Sequence, residues 1–421
     1  MNILIINTSE RTGGAAVAAN RLMKALRKEG HDAKMLVLDK QTDDLNVLTL
    51  NTSRWKKQIS FIRKAYERWV IFVYKRFSRK NLWSVSIANT GTDISRHPLV
   101  KEADIIHLHW INQGFLSLPD ITKLVNSGKP IVWTLHDLWP CTGICHYPGN
   151  CVKYETGCKH CEMLSGYFPM DLSQQVFIKK QKANLHLITY VGCSRWIAEK
   201  AKQSALLKNA EINSIPNPID TKTFCSQDKL GIRKRLGLPL DKKLILFSAA
   251  KISDIRKGGS YFVNACNLIG ETDSEWKNKT EIILMGGGNE TFFSRINLKV
   301  NPLRYVSGDK DIAAIYAAVD LFVIPSLEDN LPNTIMEAMA CGTPCVGFNA
   351  GGIPEMIDHK GNGYVAQYQD VEDLANGISW CLENHINLTM AARNKVLECY
   401  SEDVIAQKYI ELYSKLINKK F

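Results

Sequence analysis

The stretch DLFVIPSLEDNLPNTIMEAMACGTPCVGF, Asp320 to Phe348, reads as a strand, a loop, a helix and a second strand. Asp320–Ile324 is a short apolar run that stops at Pro325-Ser326, and Pro344–Phe348 is another. Between them Pro332 is expected at the first helical position, where its missing N–H is no loss, with the helix over Asn333–Ala340. Both runs are continuously apolar rather than alternating, the pattern of a sheet covered on both faces. Two such strands joined by a helix make a βαβ unit, so the sheet is expected to be parallel.

The rhythm extends outward from there. Upstream come Lys243–Ala250 as strand, Gly258–Leu268 as helix, Glu281–Met285 and Arg304–Val306 as strands, and a helix over Asp311–Ala318. The first half repeats it. Asn2–Ile6 is a strand, followed by the turn residues Thr12, Gly13 and Gly14. A helix then shows Ala15, Ala18, Leu22, Ala25 and Leu26 on one face, with Gly30 as its stop. Ala33–Leu38, Ala103–Trp110, Pro130–His136 and Leu187–Val191 are further strands. Pro216-Asn217-Pro218 breaks the pattern, and Ser401–Leu416 reads as a polar helix suited to covering an exposed surface. The expected fold class is α/β: two doubly wound parallel-sheet domains, 1–216 and 217–400, with a C-terminal helix, 401–421, packing back on the first. Such sheets bind ligands at the carboxyl ends of their strands, so two facing domains are expected to form a cleft.

The chain has 421 residues, 45% hydrophobic and 23% charged, which supports a full core in each domain and excludes collagen-like or disordered chains. Its net charge of +11 points to an anionic partner. Ten basic residues and one acid, Glu67, fall between Arg54 and Lys80, which leaves the other 394 residues nearly neutral. No charge-free run is long and unbroken enough to span a membrane. MNILIINTSE lacks the basic start of a secretory signal and reads as a strand. A cytoplasmic location follows as an expectation, in which the twelve cysteines stay reduced or bind metal.

Four constellations carry chemistry. Asp329, in the loop, and Glu337, on the helix, are eight apart, and a carboxylate accepts hydrogen bonds in the geometry of vicinal hydroxyls. Backbone N–H groups at Asn333 and Thr334 make the helix start an anion site. The bland alternative is a capped surface helix with solvated acids. In SAAKISDIRKGG, Lys251 and Lys257 follow the first strand of the second half; two ammonium groups suit a diphosphate leaving group without a metal, or else form a solvated basic loop. The Gly13-Gly14 turn lets a ligand approach the backbone, but no G-x-G-x-x-G follows a strand, which counts against a nicotinamide enzyme.

The fourth is WTLHDLWPCTGICHYPGNCVKYETGCKHCEML. His136 ends a buried strand. Beyond it Cys145, Cys151, Cys158 and Cys161 follow C-x5-C-x6-C-x2-C spacing, with Cys141, His146 and His160 nearby. In a reduced chain the expected use is a closed, structural four-thiolate zinc site; the alternative is a set of small buried thiols.

Taken together, NTSERTGGAAVAANRLMKALRKEGHD, IIHLHW, TLHDLWPCTG with its Cys-rich insert, PNPID, KISDIRKG and PSLEDNLPNTIMEAMACGTPCVGFNAGGIPE resemble a family-4 glycosyltransferase of the GT-B fold. The resemblance covers essentially the whole chain and is closest to enzymes of colanic-acid, capsule and O-antigen pathways. It implies a first domain on the acceptor side and a second that binds a nucleotide-diphosphate sugar. It also implies that Glu337 binds the ribose hydroxyls and that Asp329, where the family has Glu, contacts the transferred sugar. Lys251, at the usual Arg position, and Lys257 would bind the diphosphate. His136 would touch the sugar near the reacting carbon, Gly14 would lie near the diphosphate, and His109 would line the cleft. Asn330, Leu331, Asn333 and Thr334 belong to the same donor-binding segment. The implied reaction retains the anomeric configuration and uses no metal or other cofactor for catalysis. A hydrolase built on Asp329 and Glu337 would leave Lys251 and Lys257 without a task.

Trp55, Ile59, Ile62, Tyr66, Trp69, Val70, Val73 and Phe77 recur at steps of three and four within the basic segment 54–80. That is the pattern of an interfacial amphipathic helix on an anionic inner leaflet, which a lipid-linked acceptor would explain. Core packing with a solvated basic face is the alternative. So is a nucleic-acid patch, which with a zinc knuckle would make the chain a nucleic-acid-binding protein. That second class has no use for the segment around Glu337.

Overall fold

The computed structural model describes residues 1–164, 171–251, 254–287, 294–303, 306 and 308–419, with Ala250 and Lys251 described by their backbone. The chain divides into two units, Met1–Pro218 with Ile405–Phe421, and Ile219–Val404.

The first unit is built on seven parallel strands: β1 (Asn2–Ile6), β2 (Asp32–Val37), β3 (Val47–Thr49), β4 (Ile105–Leu108), β5 (Ile131–Leu135), β6 (Thr189–Gly192) and β7 (Ile212–Ser214). Their spatial order is β3-β2-β1-β4-β5-β6-β7. β4 and β5 are buried along their whole length and are apolar except for His107 and Thr134. Alternate residues of β1 serve opposite faces: Leu4 and Ile6 join one core, Ile3 and Ile5 the other. Helix α1 (Gly14–Lys28) covers the second face through Leu22, Ala25 and Leu26 and ends just before Gly30, whose φ of 84° reverses the chain. The C-terminal helix, Glu402–Asn418, reaches that same face with Ile405, Tyr409 and Tyr413.

The second unit has six parallel strands: β8 (Lys243–Lys251), β9 (Thr280–Gly287), β10 (Val300–Leu303), β11 (Leu321–Ile324), β12 (Cys345–Phe348) and β13 (Gly363–Ala366). Their order is β10-β9-β8-β11-β12-β13. The order in which successive strands are added therefore switches sides once in each sheet, between β1 and β4 and between β8 and β11. Chain segments on either side of such a reversal diverge and leave a crevice at the strand ends.

Three details differ from the reading of the sequence. The strand expected at Arg304–Val306 lies at Val300–Leu303, in register with Ile282–Met285 of β9; Arg304 and Tyr305 fall outside the described residues. Pro332 is the N-cap of helix Asn333–Ala340 rather than its first residue, with ψ of 116° placing it outside the helical region. The edge strands β3, β7 and β13 have three or four residues each, too short to show a period.

Candidate active site

In the second unit the loops leaving β8 and β11 flank the reversal. Asp254 caps a single 3-10 turn, Ile255–Lys257, and Gly258 closes it with φ of 68°. That turn presses on the loop after β11: a Cβ at Gly258 would stand 1.7 Å from the Pro325 carbonyl oxygen. The Leu327 N–H donates to the Arg256 carbonyl at 2.8 Å. From the other side, a Cβ at Gly351 would stand 1.8 Å from the Asp329 carbonyl oxygen, and the Gly352 N–H donates to that oxygen at 3.0 Å. The Pro325–Asp329 loop is thus clamped between two glycine turns, which fixes where Asp329 points.

It points at cations. The Lys257 Nζ lies 2.5 Å from Asp329 Oδ2, and the Arg256 Nη1 lies 3.7 Å from the same oxygen. Arg256 also donates to the Glu328 carbonyl at 2.6 Å. Burial pushes the Asp329 carboxyl up, but Lys257 and then Arg256 outweigh it and hold the group below its ordinary value. Reading the sequence singled out Lys257 and passed over Arg256; its place in the same turn was the available signal.

Glu337 sits in the second turn of helix Asn333–Ala340 and is buried. The N-cap Pro332 provides no side-chain cap for that helix. Asn330 and Leu331, in the connecting loop, are buried as well, and Asn333 and Thr334 open the helix half-buried. Lys251 ends β8, and its side chain lies outside the described residues.

In the first unit the ends of β4 and β5 bring two histidines together. His109 Nδ1 and His136 Nε2 are 2.8 Å apart, with the rings stacked at 5.1 Å. Behind them His107 Nε2 meets the Thr134 hydroxyl at 2.7 Å, and the Tyr413 hydroxyl meets His107 Nδ1 at 2.6 Å. Burial lowers His136 to about 4 and His107 to about 3, and lowers His109 too, so all three are neutral imidazoles at neutral pH. The Cys193 thiol approaches His136 Nδ1 at 3.5 Å. The next residue, Asp137, accepts from Trp110 Nε1 at 2.9 Å and pairs with His146 at 2.7 Å. At the end of β1, Gly13 has φ of 90° with open space where a Cβ would be, and Gly14 begins α1. Cys193 and Tyr413 gave no signal in the sequence, because 57 and 306 residues separate each from the histidine it meets.

Helix α2 (Arg54–Tyr74) spans most of the basic segment, and Lys75 caps it. The side that docks carries Glu67 and Arg68 together with Ile71. Glu67 accepts from the Ile87 and Ala88 N–H groups, and Arg68 donates to the Leu82 and Val85 carbonyls. Trp55 (76% exposed), Ile59, Ile62, Tyr66 and Trp69 (59%) face outward, whereas Val70 and Val73 are half-buried. These outward residues are therefore not core. Phe61, Lys57 and Lys64 of this helix also line a cavity of about 650 Å³ with Thr8 and Asp39. The described helices include none long and apolar enough to cross a membrane. Cys145, Cys151, Cys158 and Cys161 come together around one small cavity.

Known proteins are similar in both halves. The family described as Glycosyltransferase Family 4 matches residues 12–223, and that described as Glycosyl transferases group 1 matches residues 242–384. N,N'-diacetylbacillosaminyl-diphospho-undecaprenol alpha-1,3-N-acetylgalactosaminyltransferase of Campylobacter jejuni is 30% identical over 185 residues, 43% of this chain and 47% of that protein. A putative colanic acid biosynthesis glycosyl transferase of Escherichia coli, WcaC, is 23% identical over 76% of this chain and 77% of its own length. Over the first curated relatives it matches, the chain spans about half of their length. Among solved structures, Anabaena HepE in complex with UDP superposes with a TM-score of 0.62 at 17% identity, over 99% of this chain and 100% of that one.

Proposed function

Because the chain belongs to glycosyltransferase family 4, with the two parallel sheets of the GT-B fold, we propose that it transfers a sugar from a nucleotide-diphosphate donor to a lipid-linked saccharide in bacterial surface polysaccharide synthesis. The observation that carries the donor site is the clamped loop at the β8–β11 reversal, where Lys257 and Arg256 converge on Asp329. A diphosphate arriving there meets two cations already held in place, so little reorganisation opposes charge development on the leaving group. Lys251, whose strand ends at this loop, is the third cation of the proposed site.

Asp329, kept ionised by those cations, accepts hydrogen bonds from the hydroxyls of the transferred sugar in this reading. Glu337 does the same for the ribose, with Asn330, Leu331, Asn333 and Thr334 completing the donor segment. His136 offers a neutral imidazole whose orientation is set by His109 and Cys193. A neutral ring beside the sugar does not oppose positive charge that develops at the reacting carbon. Gly14, at the start of α1, leaves room for the diphosphate or acceptor. The same-face course, in which the departing diphosphate takes the acceptor proton, retains the anomeric configuration. Catalysis on this account is positioning plus electrostatic stabilisation, with the side chains supplying the charge.

The acceptor reading draws on α2. Its outward aromatic stripe beside Lys and Arg suits a chain lying peripherally on the anionic inner face of the plasma membrane, with a cytoplasmic catalytic face. The Campylobacter relative is named for a diphospho-undecaprenol substrate, which supports an acceptor of that class. The test is a thermal-shift screen against UDP and GDP sugars, UDP-glucose first because Anabaena HepE crystallises with it, followed by label transfer to a polyprenyl-diphosphate saccharide. Saturable stabilisation by one donor and label in the lipid fraction is the expected outcome. Stabilisation by no donor, or release of free sugar alone, overturns the assignment.

A further inference from the structure

Residues 141–164 contain two helical turns of three residues at most, Trp139–Cys141 at its start and Lys153–Glu155, yet the segment packs Tyr154, Leu164, Cys158 and Met163 into or against the core of the first unit. Main-chain hydrogen bonds anchor it at a few points, among them the Val85–Cys145 bridge and the Ala205 N–H donating to the Tyr154 carbonyl. Cys145, Cys151, Cys158 and Cys161 all line one cavity of about 20 Å³. That is room for a single small occupant, since one water needs about 10–15 Å³ on the same measure.

The backbone around the cavity is arranged for sulfur. The Gly143 N–H donates to Cys158 Sγ at 3.1 Å. A Cβ at Gly143 would stand 2.5 Å from the Ser173 carbonyl oxygen and 3.0 Å from Cys158 Cβ, so only glycine brings that donor so close. The Cys161 N–H donates to Asp171 Oδ2 at 2.7 Å, which ties the C-x2-C turn to the cap of helix Leu172–Gln181.

Charge gives the second, independent observation. Lys75 and Lys180 are buried, 2% and 1% exposed, and their described hydrogen bonds go to main-chain carbonyls: Met163 for Lys75, Trp139 and Thr142 for Lys180. Burial disfavours both ammonium groups unless an anionic charge stands nearby. A divalent ion held by four thiolates carries two negative charges, which two buried ammonium groups balance. Among the described residues no three His, Cys, Asp or Glu side chains stand at ligand spacing, so a metal here requires the four thiols to close inward on it.

We propose that Cys145, Cys151, Cys158 and Cys161 bind one zinc ion as a closed tetrahedral thiolate site that fastens the 141–164 segment to the first unit. An all-sulfur donor set of four selects zinc over harder cations, and a closed shell leaves no position for substrate. The fastened segment carries His146, the partner of Asp137 next to His136, so the ion would steady the candidate active-site strand end without touching it. This proposal is independent of the donor and acceptor assignments.

The experiment measures metal content and melting of the full chain purified under reducing conditions. One equivalent of zinc is expected. Cobalt exchange should produce thiolate-to-cobalt charge-transfer absorption, and chelation should lower Tm by several degrees, restored on adding zinc. Cys158→Ser and Cys161→Ser should lose the metal, whereas Cys399→Ser, in the other unit, should keep it. Should the two serine variants fail to fold, the cobalt spectrum and the reversible chelation of the unaltered chain still decide. Four titratable thiols with no metal, a disulfide among the four, or an iron–sulfur chromophore would each overturn the proposal.

Discussion

Lys257 and Asp329 are 72 residues apart in sequence and 2.5 Å apart in space, joined across the β8–β11 reversal. The pair is the pivot of the proposed donor site, because the ammonium that neutralises Asp329 is also the one a diphosphate would recruit. Lys257→Ala is expected to lower kcat/KM about 10²-fold or more, by the measure of losing one preorganised charge donor. Arg256 still faces Asp329, so the stability loss should stay below the ~3–5 kcal/mol of a fully broken buried pair. Steady-state kinetics and urea melts check both. Asp329 titrates below its ordinary value, so its contribution to stability is complete above pH ~4 and lost as pH falls through the folded value. The stability gap between wild type and Asp329→Asn should therefore close below pH 4.

Glu337 tests the ribose contact. Charge-assisted hydrogen bonds of this kind are worth about 1.5–3 kcal/mol, so Glu337→Ala should cost about 10- to 100-fold in kcat/KM. Much of that loss should appear as weaker donor binding in a calorimetric titration with the nucleoside diphosphate alone. Unchanged nucleotide affinity would remove Glu337 from the site.

The three histidines predict an acid-side stability slope. Unfolded histidine binds its proton near 6.5, whereas folded His136 and His107 do so only near 4 and 3. The unfolded chain thus holds more protons between those values, and Tm should rise with pH from about 4 to 6.5 and then level off. Tyr413→Phe leaves the buried His107 Nδ1 without its hydroxyl partner and should cost about 1–3 kcal/mol. Transfer activity should show no loss from His136 protonation between pH 8 and 6.

The outward stripe of α2 predicts lipid binding. Trp55→Glu, Ile62→Glu and Trp69→Glu together should leave Tm nearly unchanged, since all three are exposed, and should abolish sedimentation with anionic vesicles. Wild-type binding should weaken as salt rises, because part of it comes from Lys and Arg. Equal binding by the triple variant, or concentration-dependent dimerisation that the variant abolishes, would assign the stripe to another role.

The sequence by itself determined the α/β class, the doubling of the pattern and most strand positions, because continuous apolar runs and glycine stops are local signals that a covered parallel sheet requires. The helix Asn333–Ala340 was legible apart from Pro332, which caps it rather than opening it. Only tertiary structure decided which side of α2 docks. A helical period reports two faces, but a buried ion pair such as Glu67–Arg68 can reverse which of them meets the core. Tertiary structure alone also brought Arg256 and Lys257 onto Asp329, and Tyr413 onto His107. Contacts across a sheet reversal or from a distant terminal helix depend on how elements stack, and no period or spacing along the chain encodes that.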